Sequence, residues 1–191
     1  VLMQININLF TWIANKWLAD GLWIGVASYL TTIVVIFLYV TKIEKHKITN
    51  IGLKPLSLSD IPKGIFIGIC MFIVQQLPMI FIGFNYASYA KAPNWIYIIV
   101  MSLYCIFCVG FAEELIFRGF ILHKSYKLFN SKIIAILINC LLFYIFHWPP
   151  VRFVFGEFFN TTINTIILCI LFYKSKNKSI VPLIIAHSVY D

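Results

Sequence analysis

Two adjacent carboxylates interrupt a long apolar stretch in Val109-Gly110-Phe111-Ala112-Glu113-Glu114-Leu115-Ile116-Phe117-Arg118-Gly119. A second apolar run closes on Phe143-Tyr144-Ile145-Phe146-His147, and a third holds His187-Ser188-Val189-Tyr190-Asp191. Ionisable side chains are costly within apolar runs and face a cavity or one another, so Glu113, Glu114, Arg118, His147, His187 and Asp191 are the candidates for chemistry. Helical residues four apart are neighbours, which pairs Glu114 with Arg118 and puts His187 and Asp191 on one face. Adjacent residues point about 100° apart, so Glu113 faces away from the Glu114–Arg118 pair and is left free. Taken singly, that ion pair reads as structural and His147, beside Trp148 and two prolines, as interfacial. Taken together, the set is hard to explain without a use.

A carboxylate with two histidines suits hydrolysis by water, activated either by general acid–base catalysis or by a metal. Zinc would want three protein ligands and an open position, which Glu113, His147 and His187 could supply, although HExxH is absent. Ser188 diverges from its neighbour His187 on a helix and no GxSxG is present, so a serine nucleophile is poorly served. An aspartyl dyad lacks its second aspartate.

The elements that carry these residues must be apolar throughout. Of 191 residues, 61% are hydrophobic and 12% charged, and mean hydropathy is +0.91, whereas a soluble domain is roughly a quarter charged. That balance excludes a soluble globular enzyme and a disordered chain. The net charge of +8 does not indicate nucleic acid, because the basic residues sit in short stretches between apolar runs rather than along one face.

A spanning helix needs about 20 mostly apolar residues. The runs predict an all-α, polytopic transmembrane helical bundle of about six spans, forming a single membrane domain over 1–191. The segments are Gly21 to Val40, Gly64 to Phe84, Trp95 to about Leu122, Lys132 to Trp148, Phe158 to Tyr173, and a last one from Ile180. The third is long enough to tilt or bend back at Gly119. Residues 1–20 lack a basic leader and a small-residue cleavage site, and read as an interfacial lead-in with Trp12, Trp17 and Trp23 near the headgroups. Polar breaks fall at Thr41 to Lys63, Asn85 to Asn94, Trp148-Pro149-Pro150 and Lys174 to Ser179. Period-two alternation, which a β-barrel requires, is missing.

Twelve of the 15 Lys and Arg lie in three alternate loops, 42–63, 118–132 and 174–178. The positive-inside rule puts those loops in the cytoplasm and the N-terminus outside. The last segment, Ile180 to Asp191, is too short to span, so either the chain is cut short or the helix stops in a water-filled cavity. At 1.5 Å per residue, the candidate side chains lie about 14 to 22 Å from the nearest basic residue, with His147 the farthest.

Cys70, Cys105, Cys108, Cys140 and Cys169 all lie in apolar runs and behave as small hydrophobes, the Cys105–Cys108 CxxC included. The aromatic residues, 17% of the chain, serve packing and interfacial belts. Glu44 and His46 among lysines make a solvated loop face.

The segment Glu113-Glu114-Leu115-Ile116-Phe117-Arg118-Gly119 resembles the EExxxR motif of the CPBP family, the CAAX-protease and bacteriocin-processing membrane proteins also called the Abi family. Phe143 to His147 resembles its FxxxH motif and His187 to Asp191 its HxxxN/D motif, in the same order. The Gly52-Leu53-Lys54-Pro55 loop is also similar. The motif-bearing half runs from about 95 to 191. The resemblance implies a glutamate-type intramembrane endopeptidase without a cofactor. In it Glu113, assisted by His147, activates water, His187 and Asp191 stabilise the oxyanion, and Glu114 with Arg118 holds the site together. Asp191 stands where eukaryotic-type members have Asn. An ionised carboxylate cannot donate to an oxyanion, so Asp191 is expected to orient His187 as a charged donor.

The expected partners are the bilayer and a peptide or membrane-anchored precursor. The Ile-, Asn-, Lys- and Phe-rich composition resembles that of an A+T-rich bacterial genome, which favours a bacterial plasma-membrane enzyme over one acting on prenylated proteins. Three other readings stay open: a non-enzymatic bacteriocin self-immunity or scaffold protein, a zinc-dependent membrane metalloprotease, and a small transporter or proton relay. The last lacks inverted repeats.

Overall fold

The computed structural model describes residues 21–81, 95–147, 155–175 and 177–191. The expected lead-in, the Asn85 to Asn94 break and the Trp148-Pro149-Pro150 turn lie outside these residues. Every regular element among the described residues is helical.

The first apolar run forms α1 (Gly21–Leu38), which ends in one wider π turn, Tyr39–Ile43. A loop follows, with a 3-10 turn over Ile48–Ile51 closed by Gly52 in the left-handed region, φ 86°. Helix α2 (Asp60–Phe81) starts where Asp60 Oδ2 accepts the Ser57 N–H at 2.9 Å, an acidic group at the positive end of the helix.

The next rod is built of α3 (Trp95–Tyr104), α4 (Phe111–Glu114) and α5 (Leu122–Phe129), joined by π stretches at Cys105–Gly110 and Leu115–Ile121. The backbone stays right-handed at each junction. The chain therefore does not bend back at Gly119; it reverses at Asn130, φ 49°. Helices α6 (Lys132–His147), α7 (Phe155–Lys174) and α8 (Val181–Tyr190) complete the bundle. Pro182 in the first turn of α8 costs no hydrogen bond, and Ser179 Oγ accepts the Val181 N–H at 3.2 Å.

Among the described residues, two helices, Trp23–Ile43 and Ile98–Phe129, are long and apolar enough to cross a membrane; Lys132–His147, Phe158–Lys174 and Val181–Tyr190 are shorter apolar helices. Large apolar side chains such as Leu30, Val34, Phe66, Ile73, Leu137 and Leu141 are exposed, while Glu113, Glu114, Arg118, Asn139 and His187 are buried. An apolar exterior around a charged interior suits a lipid surround, because the charges are then left facing one another.

The short α8 depends on α2 for its seat. A Cβ added at Gly64 would lie 2.5 Å from Ile185 Cβ, and one at Gly68 would lie 2.7 Å from the Ala186 carbonyl oxygen. Two glycines one turn apart let the helix backbones approach closely, a packing mode common among membrane helices. Because α8 carries His187, this contact sets where that imidazole stands.

Candidate active site

Glu113 and Glu114 form the last two residues of α4, between the two π stretches, and diverge as neighbours on a helix must. Glu114 Oε1 accepts from Arg118 Nη1 at 2.9 Å and from His187 Nδ1 at 2.7 Å. The guanidinium is fully buried and lies over the Phe143 ring, 4.7 Å from its centroid. Glu113 Oε1 instead accepts the Tyr29 hydroxyl of α1 at 2.7 Å. The other oxygen, Glu113 Oε2, is buried, accepts no hydrogen bond from the described residues, and has His147 Nε2 at 3.6 Å and His187 Nε2 at 3.7 Å.

The imidazole tautomers follow from their outer partners. His147 Nδ1 lies 2.9 Å from the Phe143 carbonyl oxygen, which can only accept, so Nδ1 carries the proton. His187 Nδ1 likewise donates to the Arg118-paired carboxylate of Glu114. Both Nδ1 atoms are thereby tied off, and both Nε2 atoms point at one carboxylate oxygen. Second partners of this kind fix ring orientation as well as protonation. Asp191 Oδ2 lies 3.4 Å from His187 Nε2, and the Tyr190 ring stacks on the His187 ring at 4.9 Å. The closest hydrogen-bond partner of His187 is therefore Glu114, with Asp191 the longer contact.

All six residues singled out by spacing thus meet in one cluster. Arg118 offsets one of its three carboxylates, and the two imidazoles are the groups able to carry further positive charge. His147, farthest by residue counting, is in fact as near to Glu113 as His187 is. Among the described residues, no three His, Cys, Asp or Glu side chains are disposed to hold a metal ion. All five cysteines are free thiols.

Several neighbours were not singled out by sequence. Tyr29 is buried and edge-packed on Tyr104, with centroids 6.0 Å apart; among ten tyrosines it reads as packing. Asn139 of α6 donates to the Phe117 carbonyl at 2.6 Å, anchoring the π stretch that follows the two glutamates. A buried Asn inside an apolar run was the available signal.

The sequence model of the family described as Type II CAAX prenyl endopeptidase Rce1-like matches residues 93–191. The chain belongs to this family. Type II CAAX prenyl endopeptidase Rce1-like proteins are membrane proteases, so the chain is assigned to membrane-embedded hydrolases with a peptide or protein substrate in the membrane. The Rce1-like match takes in all six clustered residues, while Tyr29, Gly64 and Gly68 precede it. No curated protein and no solved structure matches the chain.

Proposed function

We propose that the chain is a glutamate-type intramembrane endopeptidase in which Glu113 is the general base. The observation that carries this reading is the convergence of two imidazole Nε2 atoms on Glu113 Oε2, at 3.6 and 3.7 Å, with Tyr29 holding the other oxygen. Those separations exceed a direct hydrogen bond and suit a water lying off the line between the groups and bonded to both. Glu113 Oε2 takes a proton from that water as its oxygen attacks the peptide carbonyl carbon, while His147 Nε2 aligns it. The C=O electron pair moves onto oxygen. His187, doubly protonated between Glu113, Glu114 and Asp191, donates from Nε2 to the oxyanion, in surroundings of low dielectric where such a donor is strongest. Glu113 then passes its proton to the departing amide nitrogen, the C–N bond breaks, and acid and amine leave.

Glu114 and Arg118 touch no reacting atom in this scheme; they position His187. We place the six rods in a bacterial plasma membrane with the three basic loops cytoplasmic, and take the substrate to be a peptide or membrane-anchored precursor. The scheme requires no metal.

The test compares protein termini, by mass spectrometry of membranes and medium, in cells making wild type or Glu113→Gln at equal levels. New termini confined to wild type are expected, and they name the substrate. Identical termini with an unchanged cell phenotype would favour an immunity or scaffold role. Loss of wild-type cleavage on chelation, with stoichiometric zinc in the purified protein, would favour the metalloprotease.

A further inference from the structure

The end of the bundle that carries the basic loops holds a cavity of about 520 Å³ unused by the chemistry above. Four lysines line it, and they come from three separate parts of the chain: Lys54 from the loop before α2, Lys124 and Lys127 from α5, and Lys178 from the loop before α8. Thr49, Asn50 and Asn177 add uncharged polar groups, and His46 and His123 add imidazoles. Among the described residues no carboxylate lines it. Nearby, Glu44 pairs with Lys124. Among the described residues, Lys54, Lys127 and Lys178 have no ion-pair partner.

The wall is built rather than draped. The Ile180 N–H donates to the Gly52 carbonyl at 2.9 Å, and a Cβ on Gly52 would lie 2.8 Å from the Lys178 carbonyl oxygen. Gly52 and Lys178 both adopt left-handed backbone, at φ 86° and 47°. The two loops are thus clamped together, with buried Phe172 behind them. Loop lysines that served topology alone would lower their mutual repulsion by spreading apart; here the clamp gathers them around one concavity. Its volume falls within the range of small-molecule sites, about 300–1,000 Å³.

We propose that this cavity is a binding site for a phosphate-bearing anion, either the head group of an anionic phospholipid or a soluble phosphate monoester. Lysine ammonium groups are point-charge phosphate ligands, and the amide and hydroxyl groups between them can donate to the remaining oxygens. Basic pockets between helices at the cytoplasmic face are a recurrent setting for anionic head groups. The site lies apart from Glu113 and does not depend on the proteolytic reading.

The test uses the full chain in neutral detergent, as wild type and as the double variant Lys127→Gln/Lys178→Gln. Both positions are exposed, and equal ligand-free unfolding temperatures would show that the variant folds. Native mass spectrometry with phosphatidylglycerol or phosphatidylcholine forms one arm, and thermal unfolding with glycerol 3-phosphate the other. Retention of phosphatidylglycerol over phosphatidylcholine, weakened about thirtyfold in the variant, is expected for a lipid site. Stabilisation of wild type alone by glycerol 3-phosphate would identify the soluble form of the same site. Equal binding of both lipids, or of phosphatidylglycerol by both proteins, with no effect of glycerol 3-phosphate, would overturn the proposal. Should the variant misfold, Lys54→Gln, which removes one lining charge contributed by the loop before α2, replaces it, with a weakening of about fivefold expected.

Discussion

Residues 93–191 supply every carboxylate, imidazole and guanidinium of the cluster, whereas residues 21–81 supply one phenol hydroxyl, from Tyr29, and the glycine seat of α8. The family match covers the first set only. In the proposed scheme chemistry is concentrated in three short motifs, while positioning is spread over residues of ordinary type. The first half reaches the cluster through two contacts: a hydrogen bond that fixes Glu113, and a helix packing that fixes His187.

The largest effect tests the chemical half. Glu113→Gln keeps the shape and removes the base, so wild-type-specific termini should fall by roughly 10²–10⁴-fold, the usual contribution of general acid–base catalysis. Glu114→Gln should cost both fold and rate. It leaves the Arg118 guanidinium buried without a counter-charge, a loss of about 3–5 kcal/mol that denaturation of the purified protein would register, and it loosens His187. If Glu114→Gln unfolds like wild type, the pair is not the structural anchor that its geometry suggests.

Substitution in the other half should leave the chemical groups in place and still reduce turnover. Gly68→Leu forces α8 off α2, and a destabilisation of about 1–3 kcal/mol is expected from overpacking, with loss of cleavage through displaced His187. Tyr29→Phe keeps the ring packing and removes one buried hydrogen bond to a carboxylate, worth about 1.5–3 kcal/mol of stability; cleavage should fall by roughly tenfold or more, with a loss in unfolding free energy of that order. Unchanged cleavage in Tyr29→Phe would show that the matched half suffices. The smallest effect is expected at Asp191→Asn, which should retain substantial activity while His187→Ala loses most. Equal and complete loss in both would assign Asp191 a direct part in the chemistry.

The helical architecture and the family were legible because both rest on local patterns: apolar runs too long for a soluble core, and charges at i,i+4 spacing within them. The partner of each group was less legible. Spacing pairs His187 with Asp191, yet Glu114, 73 residues away, makes its 2.7 Å hydrogen bond, a contact set by tertiary packing. Residue counting sets His147 somewhat higher than Glu113 within one broad layer, because it assumes upright helices; a common site then requires tilt. Tyr29 has no local signature, since only a carboxylate 84 residues away gives its hydroxyl a purpose. Gly64 and Gly68 acquire meaning from the short α8 that packs on them.

The π stretches on either side of the glutamates have a consequence for the ancestry and engineering of the rod. A π turn holds one more residue than the α turn it replaces and is often found at functional sites. Deleting one residue within Leu115–Ile121 would let the rod rewind as plain α-helix with all that follows close to its present azimuth, because the wide turn and the α turn replacing it sweep about the same angle. Lys124 and Lys127 would still face their loops and Glu113 and Glu114 would keep their azimuth, whereas a residue lost from the plain α stretch of α5 before Lys124 would turn all that follows by about 100°. The wide turn therefore acts as slack between the two ends of the molecule, able to lose one residue without re-aiming either of them.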